Sequence, residues 1–301
     1  MSKFRFYAFS FLVILCSLGC ADESPALAEC ECLSVNPRPF RATFRNLEGN
    51  GLGYPSGYSS VDLFLSPYLD DFSLVPMVDI RSHFFNNGKF ALNTGIIGRY
   101  HKKDKVFGVN LFYDYRNARC GRFNQAGVGL EVLGTHWDLR MNGYIPFGVK
   151  HSPICSSIEP AGLGEGLEEF ADKLEEAFFG SSQPKLREVA MKGFDAEVGV
   201  HTRCRDPWGF YAGIIPYGYT GGSKHAWGGK LRLQAQWTDY VTLEVLGAYD
   251  SLFLFTAQAQ LSLNIPFGAK KPTRCPAEWK SRMVDPVLRN EIIATRRQRL
   301  E

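Results

Sequence analysis

The stretch FLFTAQAQLSLNIPF, residues 253–267, limits what this chain can become more than any other. Every second residue is apolar: Phe253, Phe255, Ala257, Ala259, Leu261, Leu263, Ile265 and Phe267. The alternate row holds Leu254, Thr256, Gln258, Gln260, Ser262, Asn264 and Pro266. A period of two over 15 residues predicts a strand with one apolar face and one wet face. Strands of soluble domains run about 5–6 residues, whereas a strand crossing a bilayer needs about 9–11. Phe253 and Phe267 close the apolar row at both ends, as an aromatic girdle would. A two-sheet soluble sandwich alternates too, but seldom at this length.

The same rhythm recurs upstream. VFGVNLFYDYR at 106–116 sets Phe107, Val109, Leu111, Tyr113 and Tyr115 against Gly108, Asn110, Phe112, Asp114 and Arg116. Residues 123–134 oppose Val128, Leu130 and Val132 to Gly127, Gly129 and Glu131. WDLRMNGYIPF at 137–147 opposes Trp137, Leu139, Met141, Gly143 and Ile145 to Asp138, Arg140, Asn142 and Tyr144. An inner row of Gly, Asn, Asp, Glu and Arg is too costly to bury unpaired in an apolar core. It suits a hydrated lumen in which Asp114, Glu131, Asp138 and Arg140 pair between neighbouring strands. Further strands are predicted at 39–46, 58–66, 72–84 (irregular at Pro76), 89–101, 192–203, 207–219, 226–238 and 240–250. The count is twelve, even as bacterial barrels require.

Two regions break the rhythm. Between 148 and 191, Leu163, Leu167, Phe170, Ala171, Leu174, Ala177 and Phe178 recur at helical spacing beside an acidic face, with Gly180 as a stop. This predicts an amphipathic helical insert at about 160–180, packed on the barrel rim or entering the pore. The tail, 269–301, is basic and irregular. The Gly-rich loop EGNGLGYPSG lacks the strand-then-helix setting of a phosphate cradle and is expected to be a flexible turn. The expected fold is all-β, a transmembrane antiparallel barrel over 39–268 after a short linker at 29–38. Asn110, Asp114, Glu131, Asp138, Arg140, Gln258 and Gln260 are expected to face the lumen. Phe107, Tyr113, Trp137, Phe253 and Phe267 are expected to face lipid.

Residues 1–28 combine Lys3 and Arg5, the apolar core FLVILCSL and an Ala26-Leu27-Ala28 cleavage site, which marks a secretory signal. Lipid attachment at Cys20 is the competing reading, weakened by Leu18 standing one place too late. Either way the chain leaves the cytoplasm. A net charge of +3 argues against nucleic acid as a partner. The six cysteines beyond the signal, Cys30, Cys32, Cys120, Cys155, Cys204 and Cys275, are disulfide candidates within or between molecules. Cys30-x-Cys32 has no His or Cys cluster to complete a metal site. No cofactor is expected.

With these residues in view, the chain resembles the β-domain of the intimin/invasin family, the inverse autotransporters of type V secretion. GYSSVDLFLSP (57–67), VFGVNLFYDYR with RFNQAGVGLEVLGTHWDLRMNGYIPFG (106–148), and GGKLRLQAQWTDYVTLEVLGAYD leading to LSLNIPFG (228–268) carry the resemblance. It implies a twelve-stranded barrel in a Gram-negative outer membrane, an N-terminus in the periplasm, and export of a C-terminal passenger through the barrel's own pore. It also implies that the last strand, ending at Phe267, is read by the barrel-assembly machinery. Family members carry long adhesive repeats after the barrel, whereas this sequence runs 33 residues past Gly268. Extended, those residues span roughly 110 Å, enough to thread the pore once. No LysM-like module precedes the barrel, so adhesion and invasion are not carried over.

The expected role is therefore a non-enzymatic translocator or anchor, with lipid and the assembly machinery as partners. Two alternatives are a porin-like channel and an envelope protein cross-linked to others through disulfides. A barrel enzyme would need a nucleophile beside one of the six His, and neither GxSxG nor HExxH occurs.

Overall fold

The computed structural model describes residues 40–66, 74–155, 185–201, 208–238, 240–267 and 282–300. Fourteen strands form among the described residues. They are β1 (Phe40–Gly49), β2 (Tyr58–Leu65), β3 (Leu74–Phe85), β4 (Phe90–Lys102), β5 (Lys105–Asn117), β6 (Arg122–Leu133), β7 (Trp137–Phe147), β8 (Lys185–Ala190), β9 (Lys192–His201), β10 (Trp208–Gly221), β11 (Lys224–Trp237), β12 (Val241–Asp250), β13 (Leu254–Phe267) and β14 (Thr295–Leu300). Twelve of them close into one antiparallel barrel, and β1 meets β13 across the seam with Phe40 opposite Phe267. The remaining two, β8 and β14, pair with each other. The expected helix at about 160–180 lies outside the described residues.

Alternation dictates the burial. Along β5, Phe107, Val109, Leu111 and Tyr113 are exposed, while Gly108, Asn110, Phe112 and Asp114 are buried. Exposed apolar side chains recur around the whole barrel, from Ile96 and Met141 to Val198, Leu231 and Leu261. A continuous apolar belt of this kind is stable only against lipid. Aromatic residues border it. Tyr100, Phe107, Trp137, Trp208, Trp237 and Phe267 lie toward one end, where β1 starts and β13 finishes, here the near end. Phe84, Tyr113, Phe147, Phe194, Trp227 and Phe255 lie toward the opposite, far end.

Prolines show how strictly the ladder is kept. Pro76 lies beyond the β2 pairing, which ends at Val78, so only β4 flanks it. Pro216 is different, because β10 has a neighbour on each side there. Its missing N–H interrupts the ladder to β9, which lapses between Ile214 and Tyr217, while the ladder to β11 continues.

The far end carries the elaborations. Cys120, in the β5–β6 turn, is disulfide-bonded to Cys155, whose backbone in turn exchanges hydrogen bonds with Leu186 of β8 at 2.9 and 3.0 Å. The other four candidate cysteines, Cys30, Cys32, Cys204 and Cys275, lie outside the described residues. Closing a loop of 35 residues' separation restricts the unfolded chain by about 4 kcal/mol. Cys120→Ser is therefore expected to lower the thermal midpoint of the folded barrel, an effect that reductant reproduces in the wild type and leaves unchanged in the variant.

Candidate functional site

The lumen is occupied. Residues 282–300 run through it from the near end to the far end, and the wall residues meet them at successive levels. At the near end Met283 and Val287 complete an apolar cluster with Phe64, Val75, Met77, Ile97, Val106, Phe112 and Leu133. At the far end Ile292 packs with Leu47, Tyr54, Tyr58, Phe85 and Ala91. Ile293 packs with Ala118, Phe123 and Ala190, and Ala294 with Leu52, Tyr144, Tyr217 and Tyr219. The segment then leaves as β14 on β8.

An extended chain inside a lumen must find donors for its carbonyls, since each left dry and unpaired costs about 1–3 kcal/mol. The wall supplies them from long side chains. Arg41 donates to Val284 O at 3.0 Å, and Arg99 to Met283 O at 2.8 Å and Asp285 O at 2.6 Å. Arg81 donates to Val287 O at 3.0 Å, Asn142 to Leu288 O at 3.3 Å, Asn93 to Glu291 O at 2.8 Å, and Arg116 to Ile293 O. These bonds read main chain and are indifferent to sequence.

Side chains of the segment are read as well. Arg289 gives a bidentate ion pair to Asp114, at 2.7 and 2.6 Å, with its guanidinium 4.3 Å from the centre of the Phe112 ring. Glu291 accepts from Arg45 at 2.8 and 3.0 Å and also pairs with Arg81. Gly127 makes room for the first contact, because a Cβ there would stand 2.4 Å from Arg289 Nη2. Gly127→Val is expected to displace the Arg289 side chain and destabilise the folded barrel, and Gly127→Val combined with Arg289→Ala to cost less than the sum of the two. A thermal-melt double-mutant cycle checks this.

The residues expected in the lumen are brought together, with different partners from those anticipated. Asp114 pairs with Arg289 of the threaded segment. Glu131 accepts from Arg99 at 2.6 Å rather than from Arg140, its neighbour in register. Asp138 receives Arg140 at 2.7 Å from its own strand, His201 at 2.7 Å, and Arg282 from the segment. Asn110 is buried inside, and Gln258 and Gln260 face inward half-buried. Phe107, Tyr113, Trp137 and Phe267 stand outward and exposed. Phe253 does not. The strand begins at Leu254, whose φ is +59°, so Phe253 sits in the turn and packs against the far-end cluster around Tyr217. Among the described residues no group of three His, Cys, Asp or Glu is placed to hold a metal ion.

Arg45, Arg81, Arg99, Arg116, Arg289 and Glu291 were not anticipated as site residues. One readable signal existed. The register neighbours of Asp114 are Asn93 and Gln125, both neutral, which leaves Arg116, two residues along on the same face, and the basic tail as its candidate cations. The Gly-rich loop also has a place here. Gly53, with φ +79°, lies so close to the segment that a Cβ would stand 2.1 Å from Thr295 O. Leu52 and Tyr54 fold inward from the same loop.

Residues 64–199 match the family model for the inverse autotransporter beta-domain. The chain is similar to a solved structure from work on the in-meso crystallization of membrane proteins, with a TM-score of 0.60 at 16% identity, covering 86% of this chain and 100% of that one. It is also similar to an outer membrane channel from Pseudomonas putida F1, with a TM-score of 0.47 at 11% identity, covering 81% of this chain and 100% of that one. No curated protein matches the chain. The lipid-facing belt and the family match place the barrel in a Gram-negative outer membrane.

Proposed function

We propose that this barrel of inverse autotransporter type holds its own C-terminal segment across the outer membrane, acting as the anchor and conduit of that segment. The observation that carries the reading is the course of residues 282–300 through the lumen, with Arg282 beside Asp138 at one end and β14 paired with β8 at the other. The orientation it requires puts the near end in the periplasm. The far end, which bears the long 148–184 connection, then faces outward, in keeping with the short-turn and long-loop asymmetry of such barrels. A wall that reads mostly carbonyls suits a conduit, because main chain is common to every sequence that passes. Arg289 and Glu291 then act as a stop that fixes the register of the resting segment. The outward belt calls for lipid as a partner. The β13 strand ending at Phe267 is the element the assembly machinery would read.

A channel reading has one observation in its favour. The inward side chains of β11–β13 around Gln234, Glu244, Gln258 and Gln260 are only half-buried, whereas those of β3–β7 are sealed by the segment. That leaves a narrow polar cleft along one wall, closed toward the far end by the Tyr217 and Tyr219 cluster.

The test of the conduit reading is a short epitope fused after Glu301. Antibody binding on intact cells is expected. Binding only after the outer membrane has been permeabilised would overturn the reading.

A further inference from the structure

The outward face at the far end has a feature that the threaded segment does not use. Between β7, β9, β10 and β11 lies a cavity of about 300 Å³, at the low end of the ligand-pocket range of about 300–1,000 Å³. It is built in two rows. Phe194, Gly218 and Trp227 stand side by side on three neighbouring strands, and the Phe194 and Trp227 rings meet edge to face at 5.6 Å over the glycine. A Cβ at Gly218 would stand 2.8 Å from the Trp227 ring and 3.1 Å from the Phe194 ring, so glycine is what lets them close. One pleat nearer the far end, Lys192, Thr220 and His225 form the second row. Lys192 and His225 are exposed, and Ile145 adds an apolar wall.

An apolar recess in the lipid-facing belt with a cationic rim at its outer edge matches one kind of molecule, an acylated lipid with a phosphate in its headgroup. A neutral lipid leaves Lys192 and His225 unanswered. Free phosphate leaves the recess unfilled. Charge around the mouth points the same way, since exposed Arg122, Lys150 and Lys224 face a single exposed Glu48 among the described far-end residues of the barrel strands and their turns.

We propose that this recess binds a phosphorylated lipid of the outer leaflet, an acyl chain lying along Ile145, Phe194 and Trp227 and a phosphate held between Lys192 and His225. The proposal rests on the outward orientation of the far end argued above. It adds a lateral lipid site to a barrel whose lumen is already engaged.

The test uses the full chain, folded in neutral detergent and titrated with diphosphoryl lipid A, followed by native mass spectrometry. Wild type is expected to retain one lipid, and lipid A stripped of its phosphates to bind at least about tenfold more weakly. The double variant Lys192→Glu/His225→Glu should lose binding by a similar factor, less so in high salt, where screening weakens the contact. Trp227→Ala should weaken both lipids. Heat-modifiability on a gel reports whether each variant is folded, and the exposed rim variant carries the test should Trp227→Ala fail to fold. Equal binding of both lipids, no effect of the rim variant, or protein that self-associates through this face in place of binding lipid would overturn the proposal. Binding in detergent does not depend on membrane orientation, so its failure leaves the threaded segment standing. Failure of epitope display would leave the lipid site on the barrel but remove its outer-leaflet assignment.

Discussion

Deleting residues 282–301 should turn a barrel with no resolvable conductance steps into one that conducts in planar bilayers, a change on the order of tenfold or more. Met283, Val287, Ile292, Ile293 and Ala294 contribute to apolar clusters that bridge the lumen at both ends. Without them the clusters lose their centre. Arg41, Arg81, Arg99 and Arg116 would then donate to water, which enters at little cost. In the intact protein the Tyr217 and Tyr219 cluster closes the cleft along β11–β13 toward its far end. Equal conductance of the deleted and intact forms would mean that the segment does not seal the pore in solution.

The second large effect is at a single residue. Arg289→Ala should destabilise the folded barrel by about 3–5 kcal/mol, read as a fall in the urea or thermal midpoint of the compact form in micelles. Asp114 is fully buried, and its partners apart from Arg289 are the neutral amides of Asn93 and Gln125, at 2.7 and 3.2 Å. Removing the guanidinium strands a buried carboxylate while the rest of the segment still excludes water. The double variant Asp114→Ala/Arg289→Ala should recover much of the loss, because neither charge is then left uncompensated. A double variant no more stable than Arg289→Ala would show that the pair is not the source of the effect. The contrast with the deletion is informative. Taking out the whole segment hydrates Asp114, and taking out only Arg289 does not.

The barrel was legible in the sequence because a membrane strand has two environments and side chains must answer both. The twelve alternating stretches predicted it, with ends displaced by no more than about three residues, as helix and strand boundaries commonly are. Alternation carried one residue too far at Phe253, since a strand pattern cannot announce the positive φ at Leu254 that starts the turn. It also passed over Pro216, where the apolar row continues while one ladder lapses.

The threaded segment was not legible for a related reason. Met283, Val287, Arg289, Ile292, Ile293 and Ala294 are the buried residues of this stretch, and they answer wall on different sides of the lumen, so no regular period of wet and dry positions results. Their basic and apolar residues read as an irregular tail. What the sequence did hold was complementarity at a distance. Asp114 lacked a cation opposite it in register, Gly127 left space beside it, and Arg289 with Glu291 offered opposite charges two residues apart. Such matching becomes visible only once the barrel is closed and its inner face is mapped. The exchange of Glu131 from Arg140 to Arg99 has the same origin, because register places residues opposite one another but side-chain length and the segment decide which pairs form.

The most direct test of the threaded arrangement is side-specific labelling of single introduced cysteines with a membrane-impermeant maleimide, each compared with its parent. Arg297, on β14 and exposed, lies at the far end, and Pro286, also exposed, lies toward the near end. Arg297→Cys should react on intact cells, and Pro286→Cys only after the outer membrane is permeabilised. Reaction of Arg297→Cys only after permeabilisation would place the whole C-terminal segment on the periplasmic side and contradict the account.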